Sequence, residues 1–275
     1  MARVVRILTA LTAVLGAVLG PAAGIADAAS KPDPLAAARQ FYNLSQYDQA
    51  IDAAKEATSR PQAVAAARLI MGRSRLERYR AGGVARDLED ARGDLRAVDP
   101  LLLDARERVE LQVGLGELLF FEDRYGAAAE LLAPVIEQSA SQAPEARARA
   151  LDWWATALDR QAQALPAAER APLYTRLTAR MEEELRRDPA SAAAGYWIAA
   201  SARAAGDLDR AWSAAMAGWV RAALARDRGL SLRTDLDKLV TEGIIPDRAA
   251  KAPARDRKQV QTTLAAEWDK FKKGW

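Results

Sequence analysis

Any catalysis by this chain would have to run on carboxylates, lysine, serine or tyrosine, because its 275 residues contain no histidine and no cysteine. That removes a Ser-His-Asp relay, a Cys-His pair and any metal site built on imidazole or thiolate. The one dense acidic run is Glu182-Glu183-Glu184. Adjacent helical residues point about 100° apart, so three in a row do not converge on one point. Arg186 and Arg187 follow, where i to i+4 pairs with Glu182 and Glu183 are expected on a solvated face. Glycoside hydrolysis needs two carboxylates, but no spacing in the chain selects a pair. No Gly-rich phosphate loop follows a strand. The chain is therefore read as not an enzyme, with no cofactor and no metal. Tryptophans are the other candidates, as stacking platforms for a sugar or peptide. Trp154, Trp212 and Trp219 are expected to fill a core where alanines leave space, with Trp197 on the helix before the last two. Trp153 and Trp154 point in different directions, so one of that pair is the candidate exposed ring.

Helices must carry these residues. Alanine supplies 64 positions; it is the best helix former and arginine is close behind, while strand-favouring types are few. Small residues recur at Ala38, Gly72, Gly116, Ala155 and Ala199, the last four directly after Met71, Leu115, Trp154 and Ile198. In three units an alanine follows twelve positions later: Ala50, Ala128 and Ala211. This is a helical hairpin repeated, with small residues where two helices cross and their axes approach to about 8–9 Å. The small residues stand 34, 44, 39 and 44 apart, so the array is uneven.

The pattern predicts helices from about Leu35, Tyr47, Gln62, Val84, Arg106, Tyr125, Pro144, Leu173, Ala192 and Leu208. Turns are expected at 43–46, at Gly82-Gly83, at 122–124 and at Gly206-Asp207, with a polar loop over 138–144 and an irregular crossing between Pro166 and Pro172. After Arg226 the pattern stops. A short helix over Thr234 to Glu242, then Gly243-Ile244-Ile245-Pro246, makes residues 229–250 the candidate C-terminal cap, because a terminal repeat must hide an apolar face. Residues 251–257 read as a linker. Gln259 to Lys273 reads as an amphipathic helix, within a basic segment 251–275.

The N-terminus has the form of a secretory signal over residues 1–28. Arg3 and Arg6 precede an uncharged apolar run from Ile7 to Leu19, and Ala26-Asp27-Ala28 offers a small-x-small cleavage site. A bilayer span needs about 20 apolar residues, and this run is shorter. An exported protein, periplasmic or secreted, is expected. Removal of 1–28 leaves a net charge of +2, near balance, so the high isoelectric point does not imply nucleic-acid binding. Without cysteine there is no disulfide and no lipid-modified cysteine, and packing alone holds the fold.

Leu115-Gly116 with Tyr125 and Ala128, Tyr47 with Ala50, Ile198-Ala199 with Gly206 and Ala211, and the Asp-Pro stops at 99–100 and 188–189 resemble the tetratricopeptide repeat. The resemblance covers residues 34–228; the second and fourth units match less well, and the family tryptophan early in the first helix is missing. It implies an all-α fold: a right-handed α-α superhelix, or solenoid, of about five helical hairpins with a C-terminal capping segment. In that family the inner surface comes mostly from the first helix of each hairpin. Carried over, those positions are Arg39, Tyr42, Asn43, Arg73, Glu117, Phe120, Phe121, Asp152, Thr156, Tyr196 and Arg203. They imply a mixed polar and aromatic groove for an extended peptide or another protein's helix.

The expected function is a non-catalytic scaffold binding a protein or peptide partner in the cell envelope. The alternatives are an accessory or catalytic factor in cell-wall (peptidoglycan) metabolism, or a structural envelope component. The tail, net +4 over residues 247–275, either docks on the last repeat or makes a weak contact with an anionic envelope surface.

Overall fold

A chain this rich in alanine and arginine satisfies its backbone locally, and every regular element among the described residues is helical. The computed structural model describes residues 33–138, 144–224 and 229–275. The expected signal segment and most of the expected 138–144 loop lie outside the described residues. The chain divides into two compact units inside one helix, at Ala157 and Leu158.

The N-terminal unit contains α1 (Pro34–Asn43), α2 (Tyr47–Ala57), α3 (Val64–Gly82), α4 (Ala85–Arg96), α5 (Ala105–Phe121), α6 (Tyr125–Gln138) and the start of α7 (Pro144–Gln163). Local signals set the boundaries. Asp33 caps α1 by accepting the Leu35 N–H, and Gly83 ends α3 in the left-handed region at φ +67°. A reciprocal capping box between Asp104 and Glu107 starts α5. Helices α1 and α2, α3 and α4, and α5 and α6 pack against each other; α1 also touches α3, and α3 touches α5.

The small residues sit where the sequence pattern places them. A Cβ on Gly72 would lie 2.6 Å from Leu95 Cγ of α4, and one on Gly116 would lie 2.6 Å from Leu132 Cδ2 of α6. Ala38, Ala50 and Ala128 are fully buried. Each leucine fills the space a side chain would have taken, and such close packing makes added volume costly.

The C-terminal unit holds the rest of α7, then α8 (Ala167–Arg187), α9 (Ala192–Ala204), α10 (Leu208–Ala222), α11 (Leu230–Lys238), α12 (Ile245–Ala250) and α13 (Arg257–Gly274). Helices α9 and α10 approach backbone to backbone: a Cβ on Gly195 would lie 3.0 Å from Gly218 Cα. Two expectations need correction. Helix α8 begins at Ala167 and runs through Pro172, with Pro166 as its N-cap, so the irregular crossing is much shorter than expected. The short helix expected over 234–242 is part of a longer rod. A π-helical turn, Leu239–Ile244, joins α11 directly to α12. This wide turn comes just before Pro246, which has no N–H for the carbonyl four residues back.

Trp268 of α13 is fully buried. Its ring meets those of Trp212 at 5.9 Å, Trp219 at 5.5 Å and Phe271 at 5.6 Å. Its Nε1 donates to Asp237 Oδ1 on α11 at 2.8 Å, and Lys272 Nζ donates to the same oxygen at 2.7 Å. The tail helix is therefore docked on its own unit. No helix among the described residues is long and apolar enough to cross a membrane.

Candidate binding groove

The first helices of three successive hairpins line one groove of about 370 Å³ in the N-terminal unit. Helix α1 contributes Arg39, Tyr42 and Asn43, α3 contributes Leu69, Ile70 and Arg73, and the N-cap and first turns of α5 contribute Asp104, Arg106, Glu107 and Glu110. Four of the residues named from sequence are thus brought together: Arg39, Tyr42, Asn43 and Arg73. An ion pair between Arg39 Nη2 and Glu107 Oε1, 2.6 Å long, bridges α1 and α5. Arg106 is exposed and has no ion pair among the described residues.

Behind the groove lies a buried ionic network. Arg73, 2% exposed, donates from Nη1 to Glu110 Oε2 at 2.5 Å. Arg149 of α7 donates from Nη2 to both oxygens of Glu110, at 2.8 and 2.9 Å. One carboxylate therefore ties α3, α5 and α7 together. Glu117, two turns further along α5 and also 2% exposed, holds Oε1 3.6 Å from Arg73 Nη2. Among the described residues, the buried Arg73 Nε, Arg73 Nη2 and Glu117 Oε1 have no hydrogen-bond partner. Tyr42 completes the surround, its ring centre 5.7 Å from Arg73 Cζ.

The two carboxylates of α5 are pulled in opposite directions. Burial raises Glu110, but Arg73 and Arg149 outweigh it and hold the carboxyl below its usual value. Burial dominates at Glu117, and Arg73 offsets only part of it, so this carboxyl stays above its usual value. At Tyr42, burial pushes the phenol well up. Glu110 is thus a fixed negative charge, and Glu117 is a costly one.

Sequence reasoning missed Glu110, Arg149 and Gly114. A Cβ on Gly114 would lie 2.7 Å from Arg73 Cδ, so this glycine makes the room that Arg73 occupies. The available signal was spacing: Glu110, Gly114 and Glu117 stand four and three apart, on one face of a helix.

Phe120 and Phe121, at the end of α5, belong to an aromatic cluster rather than to the lining of this groove. Phe120 meets Trp153 of α7 at 4.9 Å and Tyr125 at 5.1 Å; Phe121 meets Trp153 at 5.3 Å and Tyr79 of α3 at 5.1 Å. All five rings are half-buried. Of the adjacent tryptophans, Trp153 is the partly exposed one, while Trp154 is buried. Asp152 and Thr156 lie on α7 outside the groove lining, with Thr156 Oγ1 donating to the Asp152 carbonyl at 2.8 Å.

Tyr196 and Arg203 belong to the C-terminal unit. Arg203 Nε donates to Asp247 Oδ2 of α12 at 2.7 Å, and its guanidinium fills the space over Gly243. Tyr196 packs edge-on against Trp197 at 5.3 Å. The acidic run is divided as well. Glu183 pairs with Arg187 at 2.9 Å as expected, but Glu182 reaches Arg210 of α10 rather than Arg186, and Glu184 is buried. A second groove of about 340 Å³ in this unit is lined by Tyr174, Thr178, Glu182, Ser201 and Arg210.

In comparisons with known proteins, no family model, no curated protein and no solved structure matches the chain.

Proposed function

We propose that the protein is an exported, non-catalytic scaffold of tetratricopeptide-like character, a right-handed superhelix of about five hairpins, whose N-terminal unit holds a segment of a protein or peptide partner in the cell envelope. One observation carries this reading: α1, α3 and α5, each the first helix of its hairpin, line a single groove. Its wall mixes apolar Leu69 and Ile70 with Tyr42, Asn43 and the exposed charge of Arg106. Such a surface offers an extended chain both apolar contact and hydrogen bonds to its backbone. Arg73 and Glu110 fix the helices behind it, so the groove is preformed, which reduces the ordering cost of binding.

Photo-crosslinking tests the reading directly. A crosslinking residue placed at Asn43 or at Arg106 is expected to capture a polypeptide from the organism's envelope fraction. The same group at Glu89, exposed on α4, is expected to capture none. Equal capture from all three positions refutes the groove as the binding site.

A further inference from the structure

Independently of what the groove binds, one corner of the C-terminal unit gathers exposed apolar side chains among basic ones. Three helix ends meet there. Arg233 of α11 lies with Cζ 4.8 Å over the ring of Trp219 on α10, and its Nη2 donates to the Trp275 carbonyl, at the end of α13, at 3.2 Å. Gly229 sits against the carbonyl of Ala222, the last residue of α10. Leu224 and Leu230 therefore flank the same junction. Leu224, Leu230 and Trp275 are 70%, 71% and 65% exposed.

Among the described residues at this junction, cations outnumber carboxylates. Arg221 closes α10, Lys272 and Lys273 close α13, and the first turn of α11 carries no acidic residue. Asp237 and Asp269, the carboxylates that touch this cluster, are both engaged by Lys272, at 2.7 and 3.0 Å. Lys270 and Lys273 are exposed and have no ion pair among the described residues.

We propose that this corner is a contact surface for an anionic lipid bilayer. A free amphipathic helix would bury its apolar face in lipid, but α13 has already spent that face, through Trp268 and Phe271, on Trp212 and Trp219. The membrane contact is therefore made by the docked unit, without release of its tail. Trp275 and the two leucines enter the headgroup layer, where tryptophan is favoured, while Lys270 and Lys273 stand against lipid phosphates. Isolated apolar tips and unpaired lysines suit a fluid headgroup layer, which requires no complementary shape. A protein partner would draw on a shaped pocket or paired charges.

Cosedimentation of the full chain with vesicles tests this. The parent is expected to pellet with vesicles of phosphatidylglycerol and phosphatidylcholine but not of phosphatidylcholine alone, and to be released by high salt. Lys270→Glu with Lys273→Glu is expected to weaken the anionic-vesicle binding by at least about 20-fold, from roughly fivefold per lost charge. Leu224→Ser, Leu230→Ser and Trp275→Ser together are expected to abolish it. These positions are exposed, so both variants should keep the parent's melting temperature. If one does not, the single changes Lys273→Glu and Leu230→Ser replace it, and failure of both to weaken binding overturns the proposal. So does a parent that ignores anionic vesicles. Variants that pellet like the parent overturn it as well. None of these results bears on the crosslinking outcome at the groove.

Discussion

The N-terminal unit sets an ionic network within its packing, with Arg73 and Glu117 buried and Glu110 half-buried between helices, while the rings of Phe120, Phe121 and Trp153 stand half-exposed. In the C-terminal unit the middle is aromatic, with Trp268 sealed among Trp212, Trp219 and Phe271 while Lys270, Lys273 and Trp275 face outward. The same contrast holds for the first-helix faces. Those of α1, α3 and α5 are left open as a groove, whereas on α9 the Arg203 side is covered in cis, its guanidinium taken by Asp247 and packed over Gly243. One helical-hairpin plan thus gives two results, depending on whether the chain supplies its own covering segment. Where it does, the contact can be aromatic and dry. Where it does not, the face stays polar, and buried charges hold the helices in place behind it.

The largest effect should come from the aromatic side. Trp268→Ala empties the centre of that cluster and strips Asp237 of a hydrogen-bond donor, and we expect a loss of about 5 kcal/mol in urea unfolding, the upper end for such truncations. Limited proteolysis of the variant should then cut first around residues 251–257. A loss below about 1 kcal/mol would mean that α13 contributes little to its unit, and the contrast between a covered and an open unit would fail.

On the ionic side we expect Arg73→Ala to cost about 3 kcal/mol, because it leaves buried Glu117 without its cation and Glu110 with Arg149 alone. The double change Arg73→Met with Glu117→Gln should recover much of that loss, since removing both partners of a buried pair is far cheaper than removing one. No such rescue exists for Trp268, whose loss is one of volume. If the double variant is no more stable than Arg73→Ala, the network's contribution is packing rather than charge, and the two units are more alike than their chemistry implies.

How much of this was legible in the sequence differs between the two sides in the same physical way. Small residues at crossings announce themselves, because a helix that touches another closely has no room for a side chain; Gly72 and Gly116 meet Leu95 and Leu132 where the pattern required. Helix ends were readable for similarly local reasons, such as Asp33 before Pro34 and Gly83 after α3. Four residues carried over from the tetratricopeptide resemblance, Arg39, Tyr42, Asn43 and Arg73, line one groove. What local pattern does not encode is which distant charge a buried charge meets. Arg73 with Glu110, Glu110 with Arg149, and Arg203 with Asp247 are separated by 37, 39 and 44 residues. Pro172 and Pro246 misled because proline reads as a breaker, while a helix anchored by packing on both sides of it continues with one hydrogen bond fewer.

The finest test separates the two carboxylates of α5 by pH. Glu110 sits below its usual value of 4.5 in the folded protein, so its ionised form contributes stability that is present above that value. That contribution is lost as pH falls through the lowered folded value. Glu117 sits above 4.5 when folded, so the sign reverses: the fold gains when it is protonated, and stability declines as pH rises from 4.5 through the raised folded value. Glu110→Gln should therefore cost about 1.5–3 kcal/mol at pH 7, as for loss of a charged hydrogen bond, with the gap to the parent closing as the solution is acidified below 4.5. Glu117→Gln should do the opposite, standing better against the parent at pH 7 than at pH 4. Urea unfolding at both pH values reads the two slopes. Parallel slopes for the two variants would show that both carboxylates are equally compensated, and that Arg73 serves Glu117 as fully as it serves Glu110 despite the 3.6 Å separation.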